Sequence, residues 1–213
     1  MADPESSRAV GERHVLGLSP IAQDAIPNPQ HINFPKCQVL SGHLFAALQF
    51  GYDVGGVYLK GAGGNVQALP ADYPGDEHLA SWSAAYFEMA MTQVAAGFAA
   101  GELITGQGLG DGHADLDNSD RNLFAWMQDK AQLAGQLTGV RFARFEDAVG
   151  AATTLLRTSP WYEALQESAF PAVLLTQREM TVGACLDALG PFGVTTAHIG
   201  RGRVPNPDQA ACP

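Results

Sequence analysis

Several features that would settle the class of a protein are scarce in this chain of 213 residues. Its three cysteines, Cys37, Cys185 and Cys212, show no CxxC spacing, which argues against a disulfide framework and a zinc knuckle. No run of about eighteen apolar residues occurs, so no membrane span is predicted. The first residues, MADPESSR, lack the apolar core of a signal peptide. We therefore expect a cytoplasmic protein without a membrane partner.

Lysine and arginine are missing from a long internal section. Residues 61–120 contain nine acidic and no basic residues, and the whole chain has a net charge of −10. Such a section repels phosphate backbones, so a nucleic-acid partner would need the arginines that follow residue 120. The section is either a solvated acidic surface or an acidic docking surface for another protein.

What is present is typical of a globular protein. Apolar residues make up 46% of the chain and charged residues 16%, which is enough apolar material for one buried core. We expect a single domain over residues 13–204. The polar residues 1–12 and the segment PNPDQAACP at 205–213 are predicted to be flexible ends.

The order of the predicted elements indicates an α/β fold. Short apolar runs bounded by Gly, Pro or charge predict strands, and apolar residues at intervals of three or four predict helices. The predicted strands are 14–18, 57–59, 140–145 and 194–199, and the predicted helices are 41–51, 77–104, 119–138, 146–157 and 160–168, while 172–189 is either a strand plus a helix or one helix. Strands separated by helices predict a Rossmann-like, three-layer sandwich with a mostly parallel sheet.

In such a sheet, ligands normally lie beyond the carboxyl ends of the strands. Ser19 follows the first predicted strand and His198 lies in the last, so the two could meet as nucleophile and base. Arg201 and Arg203 follow within five residues and favour an anionic ligand. The chain has no GxSxG elbow, and Ser19 could instead cap backbone N–H groups before Pro20.

The segment GLGDGHADLDNSD at 108–120 offers a different site. Asp111, His113, Asp115 and Asp117 alternate along it, and alternating oxygen ligands can hold calcium. The EF-hand spacing fails, because the sixth residue from Asp111 is not glycine and the twelfth is not acidic. The segment is therefore either a calcium site or an acidic connector that caps the next helix.

Two further motifs give weaker evidence of a functional site. The loop GAGGN at 61–65 follows a predicted strand, but Val66 stands where the third glycine of a dinucleotide-binding loop belongs, so no such site is predicted. Cys185 lies in TVGACLDALG. It is either a nucleophile, if a base lies nearby, or a small buried helical residue.

Three segments together resemble the cyclodipeptide synthases: HVLGLSP at 14–20, FARFEDAVGAATTLLRTSPWYEAL at 142–165 and GPFGVTTAHIG at 190–200. These enzymes have a Rossmann-like fold and join aminoacyl groups from two charged tRNAs through an aminoacyl-serine. The resemblance implies an aminoacyltransferase without a cofactor, with Ser19 as the nucleophile and His198 as the terminal histidine. The substrate-binding residues expected with them are Tyr58, Tyr162, Glu163, Arg201 and Arg203.

Parts of the family pattern are missing. The asparagine-serine pair after the nucleophile is absent, and Ala197 stands where a tyrosine precedes the histidine. The basic helix that binds tRNA should lie near 77–103, which contains no Lys or Arg. Three functions therefore remain open: a transferase acting on an activated acyl group or aminoacyl-tRNA, a calcium-binding protein, and a non-catalytic acidic interaction protein.

Overall fold

A computed structural model describes residues 34–60, 63–70, 82–106, 114–166 and 169–203. Most of this part is helical. Its helices are α1 (Phe34–Gln49), α2 (Ala84–Thr105), α3 (Ala114–Leu133), α4 (Phe145–Leu156), α5 (Trp161–Gln166), α6 (Ala169–Gln177) and α7 (Val182–Leu189), and its strands are β1 (Tyr52–Lys60), β2 (Gly63–Pro70) and β3 (Glu179–Thr181). Within the described residues, no helix is long and apolar enough to cross a bilayer.

The sheet is small and antiparallel, so the prediction of a Rossmann-like, three-layer sandwich with a mostly parallel sheet is wrong. The strand order is β2-β1-β3, and both neighbours of β1 run antiparallel to it. β1 and β2 pair along their whole length, from Tyr52↔Pro70 to Lys60↔Gly63. The predicted strand 57–59 is therefore confirmed as the middle of a longer strand.

The predicted strand 140–145 does not form. Phe142 and Phe145 are buried, but two exposed residues lie between them, so the burial does not alternate as in a strand. An ion pair holds this extended segment instead of a ladder: the backbone N–H of Arg141 donates to Oε1 of Glu88 at 2.6 Å, and the Arg141 guanidinium binds the same carboxylate. The segment is thus held by side-chain contacts and not by a neighbouring strand among the described residues.

The last predicted strand, 194–199, is also wrong. Val194 is buried, but Thr196–His198 form a 3₁₀ turn that follows it. The turn interrupts the extended backbone that a strand over 194–199 would need. The first predicted strand, 14–18, lies outside the described residues.

The predicted helices are confirmed over most of their lengths, with shifted ends. α2 begins at Ala84 because the Ser83 side chain accepts a hydrogen bond from the Tyr86 N–H at 3.2 Å, and it ends at Gly106, which has a φ of 67°. Ser41, the first residue of the predicted helix 41–51, lies inside α1, and its hydroxyl donates to the Cys37 carbonyl at 2.6 Å. The ambiguous segment 172–189 contains the end of α6, then β3 and α7.

Helix α1 is the centre of the core. It packs against β1 and β2 on one side and against α2 on another. The crossing with α2 is close, because a Cβ on Gly42 would lie only 2.6 Å from the Ala100 Cβ. Phe45 of α1 packs against Trp161 and Phe170, and its ring centroid lies 5.4 Å from each of theirs. This packing fixes α1 against the helices and strands that form the site described next.

Candidate functional site

A cleft of about 640 Å³ lies beside β2, between the sheet and α3. Its volume falls in the range of small-ligand sites, roughly 300–1,000 Å³. β2 contributes six consecutive residues, 64–69. The helices α1, α2 and α3 contribute His43, Gln93 and Asp120 respectively, together with apolar neighbours. With Asp53 and Gly55 of β1, five elements therefore converge on one concave surface.

The imidazole of His43 is held in one orientation. Its Nδ1 lies 3.0 Å from the backbone oxygen of Gln93. A carbonyl oxygen can only accept a hydrogen bond, so Nδ1 carries a hydrogen. The ring lies against Gly97 of α2, where a Cβ would come within 2.8 Å of the ring atom Cε1. The absence of a side chain at Gly97 is what leaves room for the ring.

The other ring nitrogen of His43 faces a carboxylate. Nε2 lies 3.3 Å from Oδ2 of Asp120, and the two side chains are 15% and 14% exposed. The alignment is that of an ion pair, in which a proton on Nε2 points at the buried oxygen Oδ2. Because a carboxylate has several lone pairs, Asp120 can accept a further hydrogen bond in the cleft that it lines.

This arrangement favours the protonated imidazole. Burial lowers the pKa of His43, but the negative charge of Asp120 and the hydrogen bond to Gln93 outweigh it, and the pKa is raised above its ordinary value of 6.5. A neutral ring with Nδ1–H would turn the lone pair of Nε2 toward a carboxylate oxygen, which is repulsive. The Asp120 carboxylate therefore stabilises the extra proton of His43.

The rest of the lining is polar or apolar without a basic side chain. Asp53 of β1 is exposed at the cleft, and Asn65 and Gln67 of β2 add amide groups. Among the described lining residues there is no Lys or Arg. The carboxylates of Asp53 and Asp120 thus outnumber the single imidazole of His43, so the lining is negative whether or not His43 is protonated.

The candidate catalytic residues do not meet in the described structure. Ser19 lies outside the described residues. His198 is not at a strand end, as predicted, but in the 3₁₀ turn, where Nδ1 accepts the Thr195 N–H at 3.1 Å. Arg201 is exposed and its Nε donates to the Ala197 carbonyl at 2.7 Å. Arg203 is exposed, and neither arginine lines the cleft.

The remaining predicted residues are also dispersed. Tyr58 is half-buried on β1, while Tyr162 is half-buried and Glu163 exposed on α5, and none of them lines the cleft. Of the calcium candidates, Asp111 and His113 lie outside the described residues, and Asp115 and Asp117 fall in the first turns of α3, where only the backbone is described. The calcium site therefore stays a prediction.

The structure agrees with Cys185 as a small buried helical residue. It is fully buried in α7, with Sγ 4.0 Å from the Met180 carbonyl. Burial raises the pKa of its thiol to about 12, so the nucleophilic thiolate is disfavoured.

His43 and Asp120 were both missed as site residues by the sequence reasoning. His43 lies in a predicted helix, and its signal is a lone ionisable side chain among apolar neighbours. Asp120 is the last residue of the acidic segment 108–120 and lies three residues beyond Asp117, the last of the calcium candidates. Nothing in the spacing of the two residues connects them, because the packing of α1, α2 and α3 brings them together.

No protein-family model matches the chain, and no curated protein matches it. The function must therefore be argued from the chemistry of the cleft. Aminoacyl transfer by Ser19 stays a prediction. His198, however, lies in a 3₁₀ turn and not at the strand end that suggested it as the base. A direct test of that prediction is incubation with charged tRNA, comparing the natural protein with Ser19→Ala.

Proposed function

We propose that this protein is a binding protein whose cleft takes a ligand with a cationic group. The observation that carries the proposal is Asp120, whose carboxylate is 14% exposed in a cleft without basic lining residues among those described. A ligand ammonium or guanidinium would donate to this carboxylate, and a charge-assisted hydrogen bond of this kind is stronger than a neutral one.

The size and lining of the cleft support a small organic ligand or part of a larger one. Val39, Leu40 and Val94 provide apolar surface beside the carboxylate. A few placed polar groups on an otherwise apolar wall are typical of ligand sites. The amide groups of Asn65 and Gln67 offer further donors and acceptors at the rim. Nothing in this arrangement requires a bond to be made or broken.

His43 gives the site a proton that competes with the ligand. A cation near Asp120 removes the electrostatic reason for the raised pKa of His43, so binding should favour release of the His43 proton. The titratable groups that line the cleft are His43, Asp53 and Asp120. We expect a cationic ligand to bind more tightly as the pH rises through the pKa of His43.

Isothermal calorimetry with a matched pair of probes tests the proposal. N-acetyl-arginine amide carries a guanidinium, and N-acetyl-citrulline amide has nearly the same shape without the charge. We expect the arginine probe to bind more tightly, and Asp120→Asn to weaken it by about tenfold or more, the effect of losing one charge-assisted hydrogen bond.

Asp129→Asn is the control, because Asp129 is exposed on the same helix and does not line the cleft. It should leave the affinity within about twofold, as expected for a distant exposed charge. Equal affinity for the two probes, or equal loss in Asp120→Asn and Asp129→Asn, would contradict the proposal.

A further inference from the structure

One edge of the sheet has no partner strand among the described residues. The order β2-β1-β3 places β2 at the edge, and within the described chain it pairs only with β1. All six residues of 64–69 line the cleft, although successive side chains of a strand point to opposite faces. The edge of β2, rather than one of its faces, is therefore what borders the cleft.

The hydrogen-bonding pattern shows which groups that edge presents. The Leu59 N–H donates to the Arg178 carbonyl at 2.6 Å, on the β3 side of β1. Because the backbone groups of a strand alternate in direction, those of Tyr58 point to β2, where Asn65 is its partner. Gly64 and Val66, on either side of Asn65, therefore turn their N–H and C=O groups to the cleft.

This edge lacks the usual protection against strand addition. Edge strands commonly carry lysine, an inward-pointing charge or a central proline. β2 has the sequence GGNVQALP, with no charged residue and its proline only at the last position. It is long enough for an extended segment to pair with it over several residues.

The surroundings of the edge define what would pair with it. Leu69 of β2 and Leu123 of α3 border the cleft and are 59% and 44% exposed, which is unusual for large apolar side chains. Asp53 and Asp120 are its carboxylates, and none of its described lining residues is basic. An occupant that complements this lining has apolar side chains alternating with lysine or arginine.

We propose that the edge of β2 accepts an extended segment of a partner protein, with alternating apolar and basic side chains, as a fourth antiparallel or parallel strand. Backbone hydrogen bonds to Gly64 and Val66 would supply affinity, and the side chains would supply selectivity, as in other cases of strand addition. The inference rests on the proposed function, since a basic side chain of the segment would be the cation that reaches Asp120.

Amide hydrogen exchange followed by NMR tests the proposal on the full chain. The probe is acetyl-(Val-Lys)₃-amide, and the control is acetyl-(Val-Glu)₃-amide. We expect the amides of Gly64 and Val66 to exchange rapidly in the free protein and at least tenfold more slowly with the lysine probe at saturation. The glutamate probe should leave their exchange unchanged.

A charge pair at one exposed position of β2 gives a matched set of variants. Gln67 is exposed at the cleft, so Gln67→Lys and Gln67→Glu should both fold. Gln67→Lys is expected to weaken binding of the lysine probe several-fold, and Gln67→Glu to strengthen it. Equal effects of the two variants would overturn the inferred charge preference.

Three results would overturn the strand addition. Amides of Gly64 and Val66 that are protected without peptide, at every protein concentration, would mean that this chain already covers the edge. Protection that grows with protein concentration alone would assign the edge to a second copy. Binding of the lysine probe without protection of these amides would overturn the fourth strand but leave the proposed function. If the natural protein also failed to bind N-acetyl-arginine amide, both the fourth strand and the proposed function would be contradicted.

Discussion

At the scale of single residues, the decisive feature is the orientation of one imidazole. The Gln93 carbonyl fixes a hydrogen on Nδ1 of His43, so the proton on Nε2 decides whether the contact with Asp120 is attractive or repulsive. The raised pKa of His43 is a consequence of that geometry. A cation delivered by a ligand could replace the proton.

The first prediction concerns the pKa of His43 itself. Asp120→Asn removes the negative charge, so the pKa should fall below the natural protein's value, with burial no longer outweighed. NMR titration of the ring protons measures it directly. Asp129→Asn should leave the titration unchanged, and a His43 pKa that is the same in the Asp120→Asn protein would show that the ion pair is not its cause.

The same substitution should change stability in a pH-dependent way. A pKa raised on folding stabilises in full below the unfolded value of about 6.5 and loses its effect as the pH rises through the folded value. Asp120→Asn should therefore cost more at pH 6 than at pH 9, with about 1–3 kcal/mol lost at the lower pH. Urea unfolding at both pH values measures this, and a larger cost at pH 9 would reverse the predicted sign.

At the scale of elements, the site depends on how closely helices can approach. The ring of His43 occupies the place where a side chain of residue 97 would lie. Gly97→Ala should displace the ring and destabilise the protein by about 1–3 kcal/mol, a typical cost of overpacking. Thermal unfolding is the measurement.

A second helical glycine provides the matched control for that substitution. Gly150 in α4 is exposed and a Cβ there would meet nothing within 4 Å. Gly150→Ala should therefore stabilise by about 0.4–1 kcal/mol, because alanine favours the helix and restricts the unfolded chain. If both substitutions stabilise, the close contact of Gly97 with His43 is not important.

The extended segment before α4 depends on one carboxylate. Glu88 is 8% exposed and binds both the backbone and the guanidinium of Arg141. Burial raises the pKa of Glu88, but the hydrogen bonds and the charge of Arg141 lower it by more, so the net shift of the pKa is downward. Glu88→Gln should cost about 1–3 kcal/mol at neutral pH.

Because the pKa of Glu88 is lowered on folding, its contribution is complete above the unfolded value of about 4.3 and disappears as the pH falls through the folded value. The difference between the natural protein and Glu88→Gln should therefore shrink below about pH 4. Glu146→Gln, which breaks the exposed pair with Arg121, should have a much smaller effect. Equal costs for the two variants would contradict this account.

The elements also show what the sequence could predict. The helices were predictable because apolar residues recur along them at intervals of three or four, as the buried residues of α4 show. The strand predicted at 140–145 does not form, because an ion pair between Arg141 and Glu88 holds that segment without a ladder. The contact of His43 with Asp120 could not be predicted, since it exists only once three helices pack.

At the scale of the whole molecule, part of the acidic section 61–120 is paired rather than solvated. Three acids of the section 61–120 have described side chains: Glu88, Glu102 and Asp120. Glu88 is paired with Arg141, and Asp120 with His43. Glu88 therefore connects α2 to the segment before α4, and Asp120 lines the cleft. The interpretation of the section as a merely solvated surface does not describe these two residues.

The whole account predicts that proton and ligand compete for Asp120. The most direct measurement is the pKa of His43 by NMR titration, with and without saturating N-acetyl-arginine amide. We expect the bound cation to lower the pKa of His43, and N-acetyl-citrulline amide at the same concentration to leave it unchanged. A His43 pKa that the arginine probe does not change, although the probe binds, would show that the cation does not lie at Asp120 and would contradict the central claim.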